Sequence, residues 1–269
     1  MAETTNIEWC DATWNPVTGC KMQSPGCTNC YAARLAGGRL RNHPSYKGLV
    51  HPGTTEWTGD YHVNRDHTDD PLHWAKPRRI FVCDMCDLFR PGVKSQHIRG
   101  VFNIADRCQI KSQTKGTVGK YDHTFLFLTK YPTRMVQEFT EWREWYIYEH
   151  GYGPVTTKWW FGATIEAQQY AGRALELMRL AGHTLFLSVE PMLTAIEIGN
   201  ILYPPPADKH IGRIAQVICG AETGPRRRLM KLAWAQSLLK QCRRKRVAFF
   251  IKRIPEGIPD DLMVREMPT

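Results

Sequence analysis

The sequence predicts an α/β protein, a partial or complete parallel (β/α) barrel of TIM type, and three observations carry that expectation. From residue 79 onward short, continuously apolar runs recur along the chain. Stretches with apolar residues at three-to-four spacing lie between them. The length, 269 residues, suits a barrel of this kind. Runs that are apolar throughout, rather than at alternate positions, belong to strands buried on both faces, as parallel strands covered by helices are.

A weak N-terminal strand is expected, with a cysteine-bearing loop near the N-terminus. The first clear strand is 79–83, and Ile98, Val101, Phe102, Ala105 and Cys108 then mark a helix face. A strand at 124–128 precedes a helix carrying Met135, Val136, Phe139 and Trp142, and a strand at 159–163 precedes one carrying Tyr170, Ala171, Ala174, Leu175 and Met178. Strands follow at 184–189 and 215–219, then a helix with Ala235, Leu238, Leu239 and Cys242, then a strand at 247–252. That makes six clear strands plus the weak one. Two segments break the rhythm. Residues 37–77 hold Gly, Pro, Asp and His43, His51, His62, His67 and His73 without periodicity, which reads as a long loop or irregular insertion. Residues 202–212 contain Pro204, Pro205 and Pro206 and read as a stiff surface excursion. Neither looks like a boundary, so 1–269 is expected to form a single domain.

Composition excludes several classes. With 42% hydrophobic residues the chain is not disordered, and it is too long for a disulfide-framed mini-protein. No run approaches the ~18 apolar residues of a membrane span, and the first residues lack the basic start and apolar core of an export signal, so a cytoplasmic protein without membrane contact is expected. In a reducing compartment nine cysteines point to metal ligands or buried thiols. The 36 Lys+Arg against 26 Asp+Glu leave a net charge of +10, which suits a nucleic-acid partner as well as an ordinary basic surface.

Polar groups gather where the expected strands end: Asp84 and Asp87, Thr129 and Lys130, Thr164 and Glu166, Ser188 and Glu190, Glu222 and Thr223, and Lys252. In a parallel barrel these ends share one rim, where such folds place their active sites. Chain leaving a strand for solvent is also polar, but a series of ionisable strand ends favours function. Glu190 and Glu222 stand just before turns that would fix their carboxylates, and with Lys252 they are the catalytic candidates; capping a helix start is the structural alternative. Arg226, Arg227 and Arg228 follow a strand-end loop and are candidates for holding substrate phosphates. The basic run 240–246 ends a helix whose C-terminal dipole it complements. Trp57, Trp74, Trp159 and Trp160 are able to stack bases, although aromatic residues more often pack.

Cys20, Cys27 and Cys30, separated by six and then two residues, lie in a Gly- and Pro-containing loop. Three such thiols can ligate three irons of a [4Fe–4S] cluster and leave the fourth iron open. They can equally form a structural zinc site with Cys10 or a nearby histidine as fourth ligand.

The loop ahead of the first clear strand, followed at once by a helix-like stretch from Tyr31, resembles the layout of radical S-adenosylmethionine enzymes. Further blocks carry a closer resemblance: T-N-I-E-W at 5–9, D-A-T-W-N-P-V-T-G-C at 11–20, S-P-G-C-T-N-C-Y-A at 24–32, K-P-R-R-I-F-V at 76–82, M-C-D-L-F at 85–89, L-T-K at 128–130, S-V-E-P-M-L at 188–193 and G-A-E-T-G-P at 220–225. Through them nearly the whole chain is similar to a family of uncharacterised phage and prophage proteins known for a three-cysteine motif and regarded as radical S-adenosylmethionine-like.

That resemblance implies a [4Fe–4S] cluster on Cys20, Cys27 and Cys30, with S-adenosylmethionine chelating the open iron and yielding a 5′-deoxyadenosyl radical. It further implies that Asp84 or Asp87 meets the methionyl amine, that Thr164, Glu166, Ser188 and Glu190 approach the ribose and carboxylate, and that Lys130 or Lys252 pairs with the cofactor carboxylate or a substrate phosphate. With the basic residues near the rim, the leading substrate is a nucleobase in phage or host nucleic acid, modified or repaired in the bacterial cytoplasm with an electron donor such as flavodoxin or ferredoxin; a small-molecule or nucleotide substrate is the alternative. The chain departs from the usual pattern, which has three residues between the first two cysteines and often an aromatic just before the third; here Asn29 precedes Cys30 and Tyr31 follows it. Cys10, Cys83 and Cys86 are further thiols, expected to pack as small apolar side chains. The alternative reading is a zinc-stabilised, non-catalytic nucleic-acid-binding or regulatory phage protein.

Overall fold

Each apolar run read as a strand forms one in the computed structural model, which describes residues 5–202, 211–254 and 257–268. The weak N-terminal strand is β1 (Ala12–Trp14), and a two-residue antiparallel ladder joins β2 (Val17–Thr18) to β3 (His62–Val63). The six clear runs become β4 (Arg79–Val82), β5 (Thr124–Thr129), β6 (Trp159–Thr164), β7 (Thr184–Val189), β8 (Ile214–Cys219) and β9 (Ala248–Ile251). The protein is thus an α/β fold with a seven-stranded parallel sheet in the order β1-β4-β5-β6-β7-β8-β9. The five α-helices among the described residues are α1 (Tyr31–Gly37), α2 (Ser95–Gln113), α3 (Pro132–His150), α4 (Arg173–Leu177) and α5 (Leu232–Lys245). None is long and apolar enough to cross a membrane.

The chain divides into two compact units, one of Met1–Met22 and Ala32–Trp160, the other of Gln23–Tyr31 and Phe161–Thr269. In the first, β1 pairs with β4 through Ala12↔Ile80 and β4 with β5 through Ile80↔Phe125, both parallel. Its core is aromatic: Trp159 is fully buried, stacks on Trp142 at 5.3 Å and on Phe102 at 5.5 Å, and also meets Phe127 and Phe139. Trp159 therefore packs and is not available to a base. Trp74 is buried as well, edge-on to His123 at 6.4 Å. The irregular insertion is held by two 3-10 turns and local contacts, with His67 against Asp70 at 3.2 Å and His73 against Asp69 at 3.3 Å.

In the second unit β7 pairs with β8 and β8 with β9, again in parallel. Gly162 in β6 lets the ring of Phe186 in β7 lie against the strand, since a Cβ there would fall within the ring's van der Waals envelope. The periodicity at 170–178 yields less helix than expected, only a 3-10 turn at Gln168–Tyr170 and the five-residue α4. Gly172 stands at the N-cap between them, where a continuous helix would have had to carry a glycine in its interior. The basic run behaves as expected, with Arg243, Arg244 and Lys245 in the last turn of α5. The proline run at 204–206 lies outside the described residues.

Candidate functional site

In the first unit the turn after β4 and the end of β5 are tied by carboxylates. Asp84 accepts from the Asn15 side-chain amide at 2.6 Å, and the oxygen of that amide accepts the Met85 N–H at 3.1 Å. Asp87 accepts from the Thr129 hydroxyl at 2.6 Å, the Lys130 N–H at 2.8 Å and the Phe89 N–H at 3.1 Å. Burial pushes its carboxyl above the usual range even against those hydrogen bonds. Cys83 and Cys86 are buried in the same turn, and burial pushes both thiols up. Cys20 is close enough to Cys86 to raise it further. The chain reaches Cys20 through Gly19, whose φ of +95° and the 2.5 Å that would separate a Cβ from the Asp60 carbonyl admit no larger residue. The Gly19 N–H donates to the Met85 carbonyl at 3.2 Å.

The second unit holds the other two motif cysteines. A 3-10 turn at Pro25–Cys27 is closed by Cys27 N–H to the Ser24 carbonyl at 2.8 Å and continued by Cys30 N–H to the Cys27 carbonyl at 3.2 Å. Two buried carboxylates grip this loop from either side. The Ser24 hydroxyl donates to Glu166, which is fully buried and also accepts Arg173 Nη1 at 2.8 Å. Arg173 Nη1 also reaches the Thr164 carbonyl at 2.8 Å. Asn29 Nδ2 donates to Glu222 Oε2 and to the Arg226 carbonyl, both at 2.9 Å. Arg228 pairs with Glu222 through its backbone N–H at 2.7 Å and Nε at 3.0 Å, and its Nη2 reaches the Pro25 carbonyl at 2.8 Å. Burial opposes ionisation of Glu222, but the Arg228 and Asn29 hydrogen bonds outweigh it and hold the carboxyl below the usual range. Elsewhere in this unit Glu190 accepts from Lys252 in an ion pair that is about one-fifth exposed on each side.

The structure therefore brings Glu166, Glu222 and Arg228 onto the loop of Cys27 and Cys30. Glu190 and Lys252 form a separate pair, and Thr164 and Ser188 are buried at strand ends. Asp84, Asp87, Thr129, Lys130 and Cys20 belong to the first unit. Arg226 and Arg227 are exposed, whereas Arg228 is committed to Glu222. Sequence reasoning missed Ser24, Asn29 and Arg173. The first two flank Cys27 as hydrogen-bonding residues in a Gly/Pro loop, and Arg173 follows Glu166 by seven positions, so only a search for partners of the buried carboxylates would have found them.

None of the nine cysteines forms a disulfide. Cys10, Cys83, Cys86, Cys108, Cys219 and Cys242 are buried; Cys20, Cys27 and Cys30 are partly exposed. Among the described residues no group of three or more His, Cys, Asp or Glu is placed to hold a metal ion. A cluster makes a different demand from a single ion, because each of three irons takes one thiolate and the sulfurs need not converge on one point. Three partly exposed thiols outside any disulfide fit that donor chemistry.

Fold and side chains together define a parallel α/β protein with buried, paired carboxylates after its strands and accessible thiols on its N-terminal loop. The chain belongs to a family described as "Protein of unknown function (DUF5131)", whose model matches residues 4–266. No curated protein matches it. Among solved structures it is similar to spore photoproduct lyase complexed with dinucleoside spore photoproduct, at 10% identity and a TM-score of 0.44, covering 90% of this chain and 76% of that one. A cysteine-to-serine mutant of spore photoproduct lyase gives 11% identity and a TM-score of 0.45 over 93% and 78% of the two chains.

Proposed function

We infer that the protein is a radical S-adenosylmethionine enzyme that acts on nucleic acid, with Cys20, Cys27 and Cys30 as the ligands of a [4Fe–4S] cluster. One observation carries this reading: the three cysteines of the motif are the three that are partly exposed, while the other six are buried. Ligation needs a thiolate that iron can reach. Burial keeps Cys83, Cys86 and Cys219 protonated and pushes Cys108 and Cys242 up to about 12.

When bound, the cluster supplies the electron that cleaves S-adenosylmethionine at its sulfonium. The chain's own residues hold and orient. Glu166 through Ser24, and Glu222 through Asn29 and Arg228, fix the backbone on which Cys27 and Cys30 sit. Glu222 is thereby a positioning residue rather than a proton donor or acceptor. The partly exposed Glu190–Lys252 pair offers a carboxylate for a ligand ammonium and an ammonium for a ligand carboxylate, the two ionic groups of a methionyl moiety. Asp87, whose oxygens accept β5 donors, fixes the strand ends beside Lys130. Exposed Arg226 and Arg227 suit the phosphates of a nucleic acid.

Anaerobic purification followed by iron, sulfide and zinc analysis and a visible spectrum tests the assignment. About four irons and four sulfides per chain, together with methionine and 5′-deoxyadenosine formed on reduction with S-adenosylmethionine, are expected. Stoichiometric zinc with no iron after reconstitution would overturn it.

A further inference from the structure

The loop of Cys27 and Cys30 is fastened to the loop after β8 more firmly than a chance contact requires. Asn29, lying between the two cysteines, spends both amide hydrogens there, on Glu222 Oε2 and on the Arg226 carbonyl. Arg228 bridges from the Glu222 carboxylate to the Pro25 carbonyl, two residues before Cys27. The Glu222 side chain is only 3% exposed, and its carboxyl is held below the usual range, so this anchor is ionised at neutral pH. The backbone carbonyl that Asn29 grips belongs to Arg226, whose side chain, like that of Arg227, is exposed. A ligand that repositions these arginines therefore pulls on the peptide to which the cysteine loop is bonded.

We propose that Asn29 and Glu222 join the Cys27–Cys30 loop and the Gly224–Arg228 loop into one mechanical element, so that a nucleic-acid phosphodiester backbone held by Arg226 and Arg227 controls access to Cys27 and Cys30. The proposal rests on the reading of those two arginines as phosphate contacts. It does not depend on the cluster. Asn29 and Glu222 act here as positioning residues, because neither needs to touch the polyanion. The coupling is reciprocal by linkage: whatever changes the cysteine loop when Cys27 and Cys30 are occupied changes polyanion affinity by the same factor.

The test uses the full-length, metal-free, reduced protein and a single-stranded DNA oligonucleotide. Rates of iodoacetamide modification at Cys20, Cys27 and Cys30 are followed by mass spectrometry with and without saturating oligonucleotide. The expected result is a slowing at Cys27 and Cys30 of at least about five-fold, the lower end of ordinary allosteric coupling. In Asn29→Ala the slowing is lost while the oligonucleotide still binds. Glu222→Gln is the second variant; it keeps the shape of the anchor but removes its charge, and it reduces the slowing as well. Unchanged rates in the wild-type protein with oligonucleotide bound would overturn the proposal. Slowing that persists at full size in both variants would overturn it too, because the oligonucleotide would then be covering the thiols directly. If no oligonucleotide binds, the proposal falls together with the nucleic-acid substrate, whereas the cluster assignment stands or falls separately on iron and sulfide content.

Discussion

Replacing Arg173 by alanine should destabilise the second unit more than any other single surface-reaching substitution in it. Glu166 has no exposed side-chain surface and Arg173 only 11%, and they are joined at 2.8 Å. Truncation takes the guanidinium away from a buried carboxylate that also accepts the Ser24 hydroxyl, and takes a donor from the Thr164 carbonyl. Breaking a buried ion pair from one side costs about 3–5 kcal/mol. The guanidinium also lies 4.2 Å from the centre of the Tyr170 ring, a contact worth about 0.5–1 kcal/mol. A loss of roughly 3.5–6 kcal/mol corresponds to a fall in Tm of roughly 7–24 °C for a chain of this size. Urea unfolding followed by circular dichroism measures it, with the slope checked so that a change in midpoint is not mistaken for a change in cooperativity. The double variant Arg173→Met with Glu166→Gln removes both charges and should lose less than Arg173→Ala alone. A loss under about 1 kcal/mol for Arg173→Ala, or a double variant no more stable than the single one, would refute the argument that an uncompensated buried charge sets the magnitude.

Gly162→Ala should destabilise by about 1–3 kcal/mol through overpacking against Phe186, and Phe186→Leu in the same chain should restore part of it in thermal melts. Replacing Cys20, Cys27 and Cys30 together by alanine should abolish iron retention with little change in far-ultraviolet circular dichroism, whereas single changes at Cys83, Cys86, Cys108, Cys219 or Cys242 should leave the iron content intact. Neutralising Arg226 and Arg227 should flatten the dependence of log affinity on log salt by about 0.7–0.9 per lost phosphate contact, and neutralising Arg243, Arg244 and Lys245 should do much less; equal slopes for the two variants would contradict this. Because the folded-state pKa of Glu222 is depressed, its stabilisation is complete above its ordinary value of 4.5 and is lost as pH falls through the lower folded value. The stability difference between wild type and Glu222→Gln should accordingly hold steady at neutral pH and close in acid.

The strands were legible because burial on both faces leaves an unmixed apolar run, and the run at 184–189 matches β7 residue for residue. The long helices were legible for the complementary reason: Ile98, Val101, Phe102, Ala105 and Cys108 all lie buried on one face of α2. Residues 170–178 misled because a three-to-four pattern reports which residues face the core and not whether the backbone between them is continuous. For the site, sequence supplied the residues but not their pairings. Glu166 meets a hydroxyl 142 positions earlier and Glu222 an amide 193 positions earlier, and no local spacing encodes either contact. Arg228 reads as one of three equivalent arginines until the fold turns it toward the carboxylate six residues before it.

The second unit contains a segment, Gln23–Tyr31, that is separated in sequence from everything else in that unit. During synthesis Asn29 must wait for Glu222, and Pro25 for Arg228, which is 203 residues later. At about 5–20 residues per second that interval is roughly 10–40 s, during which Cys27 and Cys30 are on the ribosome-bound chain without the anchors that hold them in the finished protein. If these cysteines hold the proposed cluster, the anchored form of their loop is available to iron and sulfide only after Arg228 has been made.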